Sequence, residues 1–213
     1  MRDRGRRQRL MDYQRYKISV VVPQDIAAQA IEMSQALRQF GSVFVLDGET
    51  IHPHLSLYHV PFDEAALAVA ITAVGEIAAA TKPFLLQQDT YYPDQGVWIG
   101  VRYVADKAIL DLHTAVIEAT KKYRAEQDDA RYAARWADLG PEQRKNIGDC
   151  GWSDAFTQYS PHISFTKLEQ PRADVLAHLP HRDFSFLADH IGLYAVGEHG
   201  VCTELVADFR LIG

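Results

Sequence analysis

Two short segments of the sequence each place a histidine and a serine where both could act on one substrate group. The segments are residues 53–59, PHLSLYH, and residues 161–167, PHISFTK. Both read Pro-His-apolar-Ser-apolar, and only these two of the nine histidines fit that pattern. Side chains alternate between the two faces of a strand, so His54 shares a face with Ser56, and His162 shares a face with Ser164.

This set of side chains suits the opening of a cyclic phosphate. The reaction removes a proton from water and delivers one to the departing ribose oxygen, and histidine can do either because its unperturbed pKa is about 6.5. Serine hydroxyls donate hydrogen bonds to the non-bridging phosphate oxygens, where charge builds up. The motifs therefore predict His54 and His162 as general base and general acid, in either order. Ser56 and Ser164 are predicted to bind the phosphate, and no metal or other cofactor is required.

His52, just before the first segment, allows a different interpretation. His52 has the same strand parity as His54, and neutral imidazoles bind zinc readily. A metal-dependent hydrolase that uses His52 and His54 is therefore a lesser alternative. His59 has the parity of Leu55 and Leu57, so it is predicted to face away from the site.

Several further side chains are candidates for holding a base or ribose. Aromatic rings stack on nucleobases, although most aromatic residues belong to a core. The candidates for substrate binding are Tyr58, Thr166, Tyr91, Tyr92, Trp98 and Tyr159. Tyr58 and Thr166 are included because strand alternation places them on the faces of the two histidines.

Hydrophobic periodicity and turn residues predict an α+β protein. Strands are predicted at residues 16–22, 42–48, 54–60, 83–92, 96–104, 159–168, 184–196 and 201–211. Helices are predicted at residues 26–40, at residues 63–80, from residue 106 and briefly after residue 171. Each half of the chain contains a histidine-bearing strand, a helix and a hairpin, which indicates a duplication.

Charge and composition narrow the class of partner. The first 17 residues carry seven basic and two acidic side chains, whereas the whole chain has a net charge of −6. The remainder is thus strongly acidic and unsuited to duplex DNA. No apolar run is long enough to span a membrane, and the two cysteines form no C-x-x-C motif, which favours a cytoplasmic protein. We expect a monomer.

The paired motifs resemble those of the 2H phosphoesterases, which include 2′-5′ RNA ligase-like proteins and cyclic phosphodiesterases. That family is defined by two His-x-Ser/Thr-x motifs, matched here by residues 54–57 and 162–165. The resemblance also extends to the VWIGV segment at 97–101 and to the closing hairpin. It implies two lobes of antiparallel sheet with outer helices, related by a pseudo-twofold axis around a central groove.

The sequence therefore predicts an enzyme that hydrolyses a 2′,3′-cyclic or related cyclic phosphate on a small nucleotide or an RNA end. Alternatives are 2′-5′ RNA phosphodiester cleavage or ligation, and nucleotide binding without turnover. Residues 1–15 are predicted to form a disordered basic arm. Residues 16–213 are predicted to form one domain with a polar helical insertion near 124–150.

Overall fold

The computed structural model describes residues 13–125 and 130–213, and its centre is one seven-stranded antiparallel sheet. The strands are β1 (Gln14–Val21), β2 (His54–Phe62), β3 (Phe84–Leu86), β4 (Gln88–Asp94), β5 (Trp98–Tyr103), β6 (His162–Lys167), β7 (Phe186–Ala188), β8 (His190–Val196) and β9 (Cys202–Arg210). The helices are α1 (Gln24–Leu37), α2 (Glu64–Ala80), α3 (Lys107–Thr120), α4 (Ala130–Ala133) and α5 (Pro141–Cys150). The predicted α+β class is confirmed. None of the helices in the described residues is long and apolar enough to cross a membrane.

The three long helices follow the predicted hydrophobic pattern. α1 buries Ile26, Ala30, Met33 and Leu37 at helical spacing and packs against β6. α2 and α3 begin at aspartates, because the side chains of Asp63 and Asp106 accept hydrogen bonds from backbone amides of the first helical turn. α3 packs against β2, so two helices support the two motif strands from the side opposite the cavity described below.

The order of strands brings distant parts of the chain together. The main sheet runs β4-β5-β6-β2-β1-β8-β9, and β3 pairs with β7 separately. The motif strands β2 and β6 are neighbours in the middle of the sheet, where Leu55 lies opposite Ile163. β6 adjoins the hairpin β4–β5 from the first half of the chain, whereas β2 and β1 adjoin the hairpin β8–β9 from the second half.

One predicted strand is absent and two are each divided; of these two, residues 184–196 form β7 and β8, with Asp189 between them. Residues 42–48 form no strand, and only Ser42 makes an isolated bridge, to Leu168. Side chains hold this segment instead: Ser34 Oγ accepts from the amide of Leu46 at 2.9 Å, and Thr166 Oγ1 donates to the carbonyl of Phe44 at 2.7 Å. Residues 83–92 are divided between β3 and β4, because the first part pairs with β7 and the second with β5.

The described residues include the end of the predicted arm and most of the predicted insertion. Residues 1–12 lie outside the described residues, but β1 already begins at Gln14, so a disordered arm reaching residue 15 is wrong at its end. Residues 126–129 of the insertion also lie outside the described residues. The rest of the insertion has a small core of its own, formed by Tyr132, Leu139 and Ile147. Cys150 is fully buried, so this segment is not purely a polar surface feature.

Candidate active site

Both motif strands open on one cavity of about 480 Å³. β2 contributes His54 and Ser56 to its lining, and β6 contributes His162 and Ser164. These four residues, which are remote from each other in the sequence, therefore share one space. The sheet explains their convergence, because β2 and β6 are adjacent and antiparallel.

Each motif strand contains one additional residue at the same place. Ile18 and Ser19 of β1 pair with Tyr58 and Ser56 of β2, so Leu57 has no partner in the register. Ile99 and Gly100 of β5 pair with Thr166 and Ser164 of β6, so Phe165 has none either. Such a β-bulge changes which side chains face each side of a strand. Leu57 and Phe165 are both fully buried.

The bulges overturn the predictions for residues that follow them in the two strands. His59 lines the cavity, although strand alternation predicted that it would face away. Tyr58 is fully buried instead, and its hydroxyl donates to the carbonyl of Cys150. Thr166 is also fully buried and donates to Phe44. Tyr58 and Thr166 are therefore interior residues, and the predicted contact with substrate is wrong for both.

His54 has a contact at each ring nitrogen. Nδ1 lies 2.9 Å from the carbonyl oxygen of His52, so this nitrogen carries the proton and donates. Nε2 lies 2.9 Å from Nζ of Lys17, whose ammonium donates to it. Removal from water lowers the pKa of His54 well below its usual value, and the positive charge of Lys17 lowers it further. His54 is thus neutral at physiological pH.

His162 repeats the backbone contact but has different neighbours. Its Nδ1 lies 2.8 Å from the carbonyl oxygen of Ser160, and the ring of Tyr92 packs edge-on against it at 5.5 Å. Burial lowers the pKa of His162, and Lys17 and Arg102 lower it further, while the bond to Ser160 acts in the opposite direction. In both histidines the backbone contact leaves Nε2 as the nitrogen for proton transfer.

The two serines are held differently. The hydroxyl of Ser164 lies 3.2 Å from the hydroxyl of Tyr92. The backbone carbonyl of Ser56 accepts from the hydroxyl of Tyr159 at 2.9 Å. Tyr159 is stacked on His113 with ring centroids 3.8 Å apart. Tyr92 and His113 therefore support the motif strands. The aromatic candidates included Tyr92, whereas no sequence pattern pointed to His113.

His113 anchors the bulge of β2. Its Nδ1 donates to the carbonyl of the bulge residue Leu57 at 2.7 Å, and its Nε2 accepts from the amide of Phe156 at 2.8 Å. The side chain is fully buried, and burial lowers its pKa to about 4. These contacts require the neutral ring, since Nε2 must have no proton to accept a hydrogen bond.

The aromatic candidates are divided between the cavity and the core. Trp98, Tyr159 and Tyr92 line the cavity. Tyr91 does not: its hydroxyl donates to the carbonyls of Pro180 and Arg182, both at 3.2 Å. The prediction of Tyr91 as a binding residue is therefore wrong, because its neighbour in β4 is the one that faces the site.

One wall of the cavity comes from the predicted insertion and the loop after it. Its members are polar or aromatic side chains: Arg135, Gln143, Trp152, Asp154 and Gln158. Phe44 and Leu46, from the segment misread as a strand, also line the cavity. Single polar residues at irregular spacing carry no periodic signal, so the sequence patterns did not reveal this wall.

The geometry does not favour the alternative metal site. Both ring nitrogens of His54 already have hydrogen-bonding neighbours, one of them the cation Lys17. His52 lies beside the ring of Tyr194, with centroids 5.9 Å apart. Across residues 13–125 and 130–213, no three His, Cys, Asp or Glu side chains gather in a way that could hold a metal ion.

Comparisons with known proteins give a family and a fold. The sequence model of the 2′-5′ RNA ligase superfamily matches residues 22–200 of this chain. A phosphoesterase has a similar structure, with a TM-score of 0.61 and 15% identity over 94% of this chain and 99% of that chain. E. coli LigT in apo form has a TM-score of 0.60 and 13% identity over 95% and 99% of the two chains. LigT complexed with 3′-AMP has a TM-score of 0.54 and 14% identity over 94% and 99%. No curated protein sequence matches the chain significantly.

Proposed function

We propose, because the chain belongs to the 2′-5′ RNA ligase superfamily, that it is a metal-independent phosphodiesterase of the 2H type. It opens 2′,3′-cyclic phosphates on small nucleotides or RNA ends. One observation carries the proposal: both His-x-Ser pairs, His54 with Ser56 and His162 with Ser164, line a single cavity. A nucleotide phosphate that enters this cavity meets two imidazoles and two hydroxyls.

The reaction needs two proton transfers. As the oxygen of water bonds to phosphorus, one histidine takes its proton through Nε2. As the bond from phosphorus to the ribose oxygen breaks, the other histidine delivers a proton to that oxygen, and a phosphomonoester remains. Ser56 and Ser164 donate hydrogen bonds to the non-bridging oxygens, whose negative charge increases in the transition state.

The surroundings favour His54 as the base and His162 as the acid. A base must be neutral before the reaction, and burial together with the ammonium of Lys17 lowers the pKa of His54 well below its ordinary value. Burial is also the main cause of the lowered pKa of His162, but Lys17 makes its hydrogen bond to His54, so its charge acts less directly on His162. The negative charge of a bound phosphate raises the pKa of a neighbouring imidazole, so His162 gains its proton as substrate binds.

The walls of the cavity suit a nucleotide. Trp98 and Trp152 offer aromatic surfaces for a base, and Gln95, Gln143 and Gln158 offer amide groups that can donate and accept. The similar protein LigT has been crystallised with 3′-AMP. A phosphomonoester of that size is the kind of product that the proposed reaction releases.

Cleavage or ligation of 2′-5′ phosphodiester bonds is the second candidate. The name of the superfamily supports it, and the same four residues could serve it. We also infer that residues 14–213 form one domain of two lobes that arose by duplication. The matching bulges in β2 and β6 support that inference.

A substrate screen tests the proposal. Purified protein is incubated with 2′,3′-cyclic nucleotides, cyclic-ended RNA, ADP-ribose cyclic phosphate and 2′-5′ oligoadenylate, with and without EDTA. The double variant His54→Ala/His162→Ala serves as the blank. We expect EDTA-resistant conversion of a cyclic phosphate to a monoester. Activity on 2′-5′ oligoadenylate alone would favour the second candidate, and activity abolished by EDTA would contradict the proposed mechanism.

A further inference from the structure

Lys17 of β1 is a cation inside the cavity that neither motif contains. It lies opposite His59 of β2 in the sheet register and lines the cavity. Its Nζ is 2.6 Å from the carbonyl oxygen of Gly200 and 2.9 Å from Nε2 of His54. Lys17 also precedes residues 22–200, which the family model matches, so family membership does not rest on it.

These contacts have a consequence for proton transfer. Nδ1 of His54 donates to the carbonyl of His52, so the lone pair of Nε2 is the one that can accept a proton. In the structure the ammonium of Lys17 donates to this same lone pair. A water molecule that must give its proton to His54 therefore competes with Lys17 for one position.

An anionic phosphate changes this balance. A phosphate oxygen carries negative charge and a neutral imidazole does not, so Coulomb attraction adds to the hydrogen bond and the phosphate attracts the ammonium more strongly. The lysine side chain is flexible, with three donor hydrogens on a four-carbon stem. It can turn toward a phosphate and retain its bond to Gly200.

We propose that Lys17 binds the substrate phosphate and that, until the phosphate arrives, its ammonium caps Nε2 of His54. The inference rests on the proposed function, in which His54 accepts a proton from water. Lys17 is then a switchable contact: binding of the anion releases the lone pair of the base at the moment when it is needed. Substrates without an anionic phosphate leave the base capped.

Other charged and titratable groups around His54 belong to several elements. They are Lys17 on β1, His52 before β2, His162 on β6 and Tyr194 on β8, and Cys202 on β9 interacts with Lys17. Burial raises the pKa of Cys202 to about 12, and burial likewise raises the pKa of Tyr194, so both are neutral near pH 7. Lys17 is a charged group in direct contact with His54, so its removal should change the pKa of His54.

The experiment compares Lys17→Met with Lys17→Arg and with the control Lys107→Met, which removes a charge from an exposed lysine paired with Asp111. Binding of 3′-AMP and of inorganic phosphate is measured by calorimetry, and kcat/KM for a 2′,3′-cyclic nucleotide is measured against pH. We expect Lys17→Met to weaken binding about 10- to 100-fold, which corresponds to loss of a hydrogen bond to a charged group. Lys17→Arg should retain most of the affinity, and the control should match wild type.

The pH profile adds a second readout. Without the ammonium, the pKa of His54 rises, so the acidic limb of kcat/KM should move to higher pH in Lys17→Met. Unchanged affinity and an unchanged limb in a folded Lys17→Met variant would overturn the proposal. Lys17→Gln gives the same comparison if the methionine variant does not fold. Wild-type protein that binds phosphate through Lys17 but hydrolyses no cyclic phosphate would reject the proposed function and leave Lys17 as an anion-binding residue.

Discussion

The two motif strands have the same backbone but different neighbours. In β2 and in β6, the bulge falls three residues after the histidine, at Leu57 and at Phe165. In both, Nδ1 of the histidine is bonded to the carbonyl two residues earlier. The neighbours of the rings differ, because Lys17 contacts His54, whereas Arg102 lies over the ring of Tyr92 at 4.7 Å. One frame thus presents two imidazoles in two electrostatic settings, which is what an acid and a base require.

The strands beside the two motif strands, β1 and β5, also have equivalent positions that are occupied by different residues. Ser19 of β1 lies opposite Ser56, and Gly100 of β5 lies opposite Ser164. Further along, Lys17 lies opposite His59, and Trp98 lies opposite Lys167. The equivalent positions on the cavity side therefore hold a cation on one side and an aromatic ring on the other. We infer that the substrate phosphate lies nearer β1 and the nucleobase nearer β5.

The largest expected effect comes from removing either imidazole. His54→Ala and His162→Ala should each lower kcat about 10²- to 10⁴-fold, because each removes one proton-transfer group. The control is His190→Ala, since His190 is bonded to Asp208 at the exposed side of β8. Circular dichroism establishes that each variant is folded. Similar activity in either cavity variant and in wild type would refute the paired mechanism.

Loss of one serine hydroxyl should have the next largest effect. Ser56→Ala and Ser164→Ala should each lower kcat about 10²-fold, because a donor to the developing charge is lost. The variant Tyr92→Phe distinguishes the two serines, since the hydroxyl of Tyr92 is hydrogen-bonded to that of Ser164 and not to that of Ser56. We expect it to lower kcat by a smaller factor than Ser164→Ala and to leave the Ser56→Ala effect unchanged. A rise in KM without a fall in kcat would contradict a role in the transition state.

The free energy of unfolding should depend on pH, because His113 stabilises the bulge of β2 in its neutral form. With a pKa of about 4 in the folded protein and about 6.5 when unfolded, His113 takes up protons first in the unfolded state. Its stabilising effect is complete above pH 6.5 and falls toward pH 4, by roughly 3 kcal/mol in total. The free energy of unfolding is measured in urea between pH 4 and pH 7.5. The variant His113→Gln should show a smaller slope, and an identical slope would refute this assignment.

The smallest expected effect concerns the residues opposite the two serines. A Cβ added to Gly100 would lie 2.2 Å from the carbonyl oxygen of Ile163, so Gly100→Ala should destabilise the fold by about 1–3 kcal/mol. Ser19→Ala is the matched control in β1. The hydroxyl of Ser19 is buried and makes no hydrogen bond within the described part of the chain, so its loss should be neutral or slightly stabilising. Thermal unfolding of the two variants measures the difference.

The alternation of side chains along a regular strand predicted which residues face the cavity only up to the bulge in each strand. Alternation along a strand correctly put His54 with Ser56 and His162 with Ser164 on the cavity, but it failed at Tyr58, His59 and Thr166. The bulge residues are apolar and buried, like the residues that a regular strand would place there, so hydrophobicity gave no warning. Lys17 gave no signal for a different reason: it belongs to neither motif and follows a run of basic residues at the start of the sequence.

The fold shows the same division between local and long-range signals. The helix starts at Asp63 and Asp106 depend on residues close to them in sequence, and both were predicted. Residues 42–48 do not form the predicted strand, because the side chains of Ser34 and Thr166, which are remote in sequence, form hydrogen bonds with the backbone of this segment. Contacts of this kind are set by packing and leave no periodic trace in the segment itself.

The exchange of hairpins between the halves of the chain determines when the protein can fold during synthesis. β1 is made long before β8, which covers its outer edge, and before β9, which covers β8. Pairings between such distant segments form slowly, because a long loop must close first. A nascent chain interrupted before β8 therefore has an uncovered strand edge and an apolar sheet surface. Such a fragment is expected to aggregate or to need a chaperone, and it should have no activity of its own.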